Sequence, residues 1–73
     1  MPHVDISMFS GRDDETKKKV ADAVVETMMK ELGCKKEHLS VAIHDVDPAD
    51  WNDKVKSKVD VSRIYAGEVF ENK

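Results

Sequence analysis

Apolar and polar side chains alternate without a break through HVDISMF, residues 3–9. Val4, Ile6 and Met8 fall on one face and His3, Asp5, Ser7 and Phe9 on the other, the period of two that a strand imposes. A turn, Ser10-Gly11-Arg12-Asp13, follows, and the period then changes. Val20, Ala23, Val24, the methyl of Thr27, Met28 and Leu32 recur at helical spacing, with Val25 and Met29 widening the stripe. Asp13, Asp14 and Glu15 place negative charge where the free N–H groups of a helix start favour it. Gly33 is the expected stop, so the helix runs to about Leu32. After a short link, Cys34 to Glu37, alternation resumes at residues 39–46. Leu39, Val41 and Ile43 share one face there, and Ser40, Ala42 and His44 the other.

Strand, helix, strand with short links predicts a β-α-β unit whose strands are parallel, joined by a right-handed crossover. The expected class is α/β (α+β), one domain over residues 1–73. A two-stranded sheet covered on one side only is not stable alone. Its open face would carry Phe9, Ser40 and Ala42, small or apolar enough to meet another subunit. Self-association is therefore expected from the pattern itself. Farther on, Asp47-Pro48-Ala49-Asp50 reads as a helix opening, leading to a short helix through Trp51 and Val55. The tail from Val59 to Lys73 holds Val61, Ile64, Tyr65, Val69 and Phe70 around Gly67. It suits either a small hairpin or a strap across a neighbouring subunit.

Composition sharpens this picture. A chain of 73 residues buries too little surface for comfortable stability, and Cys34, its only cysteine, precludes an internal disulfide. His3, His38 and His44 are scattered, with no metal-site spacing. Oligomerisation is the remaining remedy. The net charge is −3 with both signs interspersed, and Lys17-Lys18-Lys19 reads as a solvated helix face, which argues against nucleic acid as a partner. No apolar run approaches the roughly 20 residues of a membrane span. The lone cysteine and the lack of a signal-like segment suggest a cytoplasmic setting.

Three residues could carry chemistry. Removal of Met1 would leave Pro2 as a secondary amine, a nucleophilic base with a directed lone pair. Apolar surroundings and a nearby cation both lower such an amine from its usual range, about 7.7–8.0, toward the values that suit general-base work. Arg12 is one of only two arginines, and its planar fork suits a carboxylate. The plain alternative for Arg12 is a turn residue pairing with Asp13 or Asp14. Trp51 is either an apolar wall or an interface anchor. His44 reads as a surface or interface histidine and Cys34 as an inert thiol. The group Asp45, Asp47, Asp50 and Asp53 lacks the glycine and terminal glutamate of a calcium loop.

Met1-Pro2, the strand VDISMF, Gly11-Arg12 before the acidic DDE turn, the helix KKKVADAVVETMMKELG and the strand LSVAIHDV together resemble the tautomerase superfamily, of the 4-oxalocrotonate tautomerase type. The opening MPHVDI and the segment DPADW look closest to a bacterial, dimeric branch. The resemblance implies a cofactor-free isomerase, assembled as a homodimer or homohexamer, acting on a small carboxylic acid. It implies Pro2 as catalytic base, Arg12 as carboxylate binder and Trp51 as aromatic pocket residue. Where better-studied members carry a second arginine, this chain has Ser40. That exchange keeps a hydrogen-bonding hydroxyl and removes a charge, so a monocarboxylate such as the enol of an arylpyruvate fits better than a dicarboxylate. The rivals are a hydratase or dehalogenase acting on a small unsaturated acid, with Asp5 or Asp45 orienting water, and a non-catalytic assembly subunit.

Overall fold

A computed structural model describes residues 1–73. Strand β1 spans His3–Phe9, helix α1 Asp14–Leu32 and strand β2 Ser40–Val46, followed by a short helix α2 at Trp51–Lys54. The strands pair in parallel, His3 opposite Ser40 and Phe9 opposite Val46. This register aligns Val4, Ile6 and Met8 with Val41, Ile43 and Asp45 on the side that α1 covers. On the open side it aligns His3, Asp5, Ser7 and Phe9 with Ser40, Ala42, His44 and Val46.

The ends of α1 follow from local chemistry. The Asp13 carboxylate accepts a hydrogen bond from the Thr16 backbone N–H at 2.8 Å, and Thr16, through its side chain first and this backbone bond second, holds the carboxyl below the usual range. At the other end Gly33 adopts φ 67°, a left-handed conformation that a Cβ would strain, and its N–H closes on Met29 O. Lys17 ties the helix to β2 through a 2.8 Å bond to Asp45, which raises the lysine above its ordinary value. Strand β2 begins one residue later than the alternation predicts. Lys36–His38 wind into a 3-10 turn, and the Leu39 N–H is spent on Lys36 O at 3.1 Å. After β2, Asp47 caps another 3-10 turn, Pro48–Asp50, by accepting from Ala49 N–H at 2.9 Å.

The tail forms no hairpin. It makes a 3-10 turn at Val61–Arg63 and then returns, without strand structure, to the Trp51 region of its own chain. Tail residues 61–69 offer no paired edge, whereas side-chain amides near Asn52 capture Phe70 to Asn72 by specific bonds.

The single chain encloses nothing. None of its 73 residues is buried, and even Val4, Ile6, Val41 and Ile43 beneath α1 are only half-covered. Its accessible surface is 5886 Å². A compact monomer of this mass exposes about 4,500 Å². The excess is larger than the roughly 800 Å² that one partner contributes to a standard protein–protein interface. No helix is long and apolar enough to cross a membrane.

Candidate active site

Both strands run the same way, so their starts lie together at one end of the sheet and their finishes at the other. Phe9 closes β1 and Arg12 follows it, and Trp51 follows the finish of β2. With Ser7, Met8 and Phe70 they line a cavity of about 340 Å³. Trp51 stands edge-on to Phe9 at 5.1 Å between ring centres, and Phe70 stands edge-on to Phe9 at 5.7 Å. Edge-to-face geometry places a positive ring edge against a negative ring face, which favours this cluster beyond simple burial. Arg12 is the cavity's one charge. Its single bond runs from Nη1 to Phe9 O at 3.3 Å. Asp13 is occupied with Thr16, and Asp14 pairs with Lys17 at 3.6 Å, so Arg12 pairs with neither neighbouring acid. A guanidinium without a carboxylate, set beside three aromatic rings, can take a carboxylate whose remaining atoms are apolar.

At the opposite end the chemistry is polar. Pro2 is half-buried, and its carbonyl accepts the Ser40 N–H at 3.3 Å, which sets it against the first residue of β2. Ser40 Oγ lies 2.6 Å from Nδ1 of His3, whose Nε2 lies 3.0 Å from Asp5 Oδ1. His44 Nε2 meets the same Asp5 oxygen at 3.0 Å. The two histidines hold the Asp5 carboxyl below the usual carboxylate range, His44 more strongly. An ionised carboxylate can only accept, so both imidazoles donate to it from Nε2. The second ring nitrogen of His3 shares its hydrogen bond with the Ser40 hydroxyl, which carries the linked network from Asp5 to the residue beside Pro2. No group of His, Cys, Asp and Glu side chains is arranged to hold a metal ion.

Pro2 thus sits with Ser40, and Arg12 sits with Trp51. The two pairs do not meet within one chain, because the length of a seven-residue strand separates them, roughly 20 Å at 3.3 Å per residue. Sequence reasoning grouped them as one pocket. It also missed the linkage of His3, Asp5 and His44, although the alternation of the two strands put all three on the open sheet face. Phe70 was missed as a cavity residue, and no periodicity in the tail pointed to it.

Comparison with known proteins fits this geometry. The family model described as "Tautomerase enzyme" matches residues 2–60. The chain is 38% identical over 55 residues to a probable tautomerase of Xylella fastidiosa (strain 9a5c), covering 75% of this chain and 67% of that protein. It is 35% identical over 51 residues to a 2-hydroxymuconate tautomerase of Comamonas testosteroni, covering 70% and 81% respectively. Among solved structures, a 4-oxalocrotonate tautomerase isozyme from Methylibium petroleiphilum superposes with a TM-score of 0.66 at 38% identity, over 68% of this chain and 81% of that one.

Proposed function

The chain belongs to the tautomerase family and is an isomerase; from that premise we propose that Pro2 is the base that moves the proton, and that the substrate is the enol of a small 2-keto monocarboxylate bearing a flat apolar group. Removal of Met1, which is 92% exposed, frees the Pro2 nitrogen as a secondary amine. Its lone pair takes the enol O–H proton. Electrons from that O–H bond form the C=O, the C=C pair moves to the adjacent carbon, and the protonated amine returns its proton there. The enol becomes the ketone, and the amine is regenerated. Arg12 holds the carboxylate, and Phe9 and Trp51 exclude water, which strengthens the arginine's hold and favours the neutral amine. Ser40 bounds the Pro2 side with an uncharged oxygen, consistent with one substrate carboxylate rather than two.

The observation that carries this reading is the lone guanidinium among aromatic rings. Since Pro2 and Arg12 lie a strand's length apart in one chain, the complete site forms where Pro2 of one copy meets the Arg12 cavity of another. The excess surface of the lone chain supports such an assembly. The test is ketonisation of phenylenolpyruvate by protein whose intact mass confirms loss of Met1, beside Pro2→Ala. The variant is expected to lose on the order of 10²-fold or more in kcat, the scale of general-base catalysis. Equal rates would remove Pro2 from the mechanism.

A further inference from the structure

The tail is fastened at one place only. Val61 is 74% exposed and Tyr65 99% exposed, only Ile64 and Val69 are half-buried among residues 61–69, and Phe70 itself keeps 56% of its surface exposed. From Phe70 onward the bonds concentrate. Trp51 Nε1–H donates to Phe70 O at 2.8 Å. Asn52 and Asn72 exchange two hydrogen bonds, Nδ2–H of Asn52 to Asn72 O at 2.7 Å and Asn72 N–H to Asn52 Oδ1 at 2.9 Å. The Asn72 side chain donates in turn to Pro48 O at 2.7 Å, and Lys56 pairs with Glu71 at 3.5 Å. Ordering a chain end costs conformational entropy at every residue, and fastening bonds recover it only locally. Here they recover it where Phe70 joins the wall of the Arg12 cavity, at a ring separation from Phe9 of 5.7 Å. The wall residue lies beyond residues 2–60, the span that matches the family model.

We propose that Phe70 is a specificity-determining residue, forming with Phe9 and Trp51 an aromatic slot that selects carboxylates carrying an aryl group, and that the Asn52–Asn72 clasp positions it. This rests on the carboxylate-binding role of Arg12 given above. It does not rest on Pro2 as base. The three rings present faces and edges to a flat partner, whereas a short alkyl chain leaves Phe70 uncontacted.

Trp51 is the only tryptophan, so its fluorescence reports directly on the cavity. Full-length protein is titrated with 3-phenylpropionate and with butyrate, which differ by the ring. The parent is expected to prefer 3-phenylpropionate, and Phe70→Ala to cut that preference by about 10-fold, in line with the loss of an aromatic pair and its buried area. Asn72→Ala should lower the preference in the same direction by a smaller factor, an aryl-against-alkyl split that general destabilisation would not produce. Butyrate binding confirms in each variant that the cavity has formed. An equal preference in parent and Phe70→Ala overturns the slot. Preference lost in Phe70→Ala but unchanged in Asn72→Ala overturns the positioning role of the clasp. If Pro2→Ala keeps full turnover, the catalytic reading falls while this titration stands.

Discussion

The starts and finishes of the two strands are built from different materials. From the start of the strands past mid-sheet, Pro2, Ser40, His3, Asp5 and His44 form a linked polar surface in which most hydrogen-bonding groups are already engaged with each other. Where the strands end, three aromatic rings and an arginine that has no acidic partner line one cavity. One end carries the proposed base without a pocket, the other a pocket without a base. Parallel pairing enforces this division, because it brings like ends together and holds unlike ends apart. Two copies are the simplest way to bring both halves to one substrate.

The sharpest way to break that division is subunit complementation. Pro2→Ala and Arg12→Ala proteins, each slow alone at substrate well below the Arg12→Ala KM, should regain phenylenolpyruvate turnover there when unfolded, mixed and refolded together. A mixture no more active than its parts would place both residues in one chain's site. Next in size, Arg12→Ala alone should raise KM roughly 10- to 100-fold, the scale of a charge-assisted hydrogen bond, with kcat less affected. A KM that stays put would detach the arginine from the carboxylate. Asp13→Ala acts beside Arg12 by uncapping α1 and should cost about 1 kcal/mol in denaturant unfolding, with a matching shift in midpoint at constant slope.

The smallest effect belongs to the polar end. Asp5 titrates lower in the folded chain than its ordinary value of 3.8. Its contribution is therefore complete above that value and fades as pH falls through the lowered one. Unfolding curves of the parent and Asp5→Asn, compared between pH 5 and pH 2, should converge toward the acid side. Parallel curves across that window would remove the histidine–aspartate linkage from the stability of the fold.

Much of this could be read along the chain because the relevant forces act locally. The change in period at Val20, the acids at Asp13–Glu15 and the stop at Gly33 define α1 within one or two turns of themselves. Strand β2 was legible to within one residue for the same reason, and the shift came from a 3-10 turn whose bond to Leu39 leaves no pattern in hydrophobicity. The partners Asp5 and His44 depend on the register between strands 39 residues apart in sequence, which alternation constrains only to a face. Phe70 depends on amide pairing between Asn52 and Asn72, residues common enough in loops to carry no signal. The distance between Pro2 and Arg12, by contrast, was available from strand length alone.

The absence of any enclosed side chain bears on how the molecule is made. In the proposed assembly a newly synthesised chain would complete its interior only on meeting a sibling, which would make maturation a second-order event. Refolding half-times should shorten as chains become more plentiful, and scarce transcripts should yield polypeptides that proteases reach first. Abundance, in such a design, helps to determine whether the catalyst exists at all.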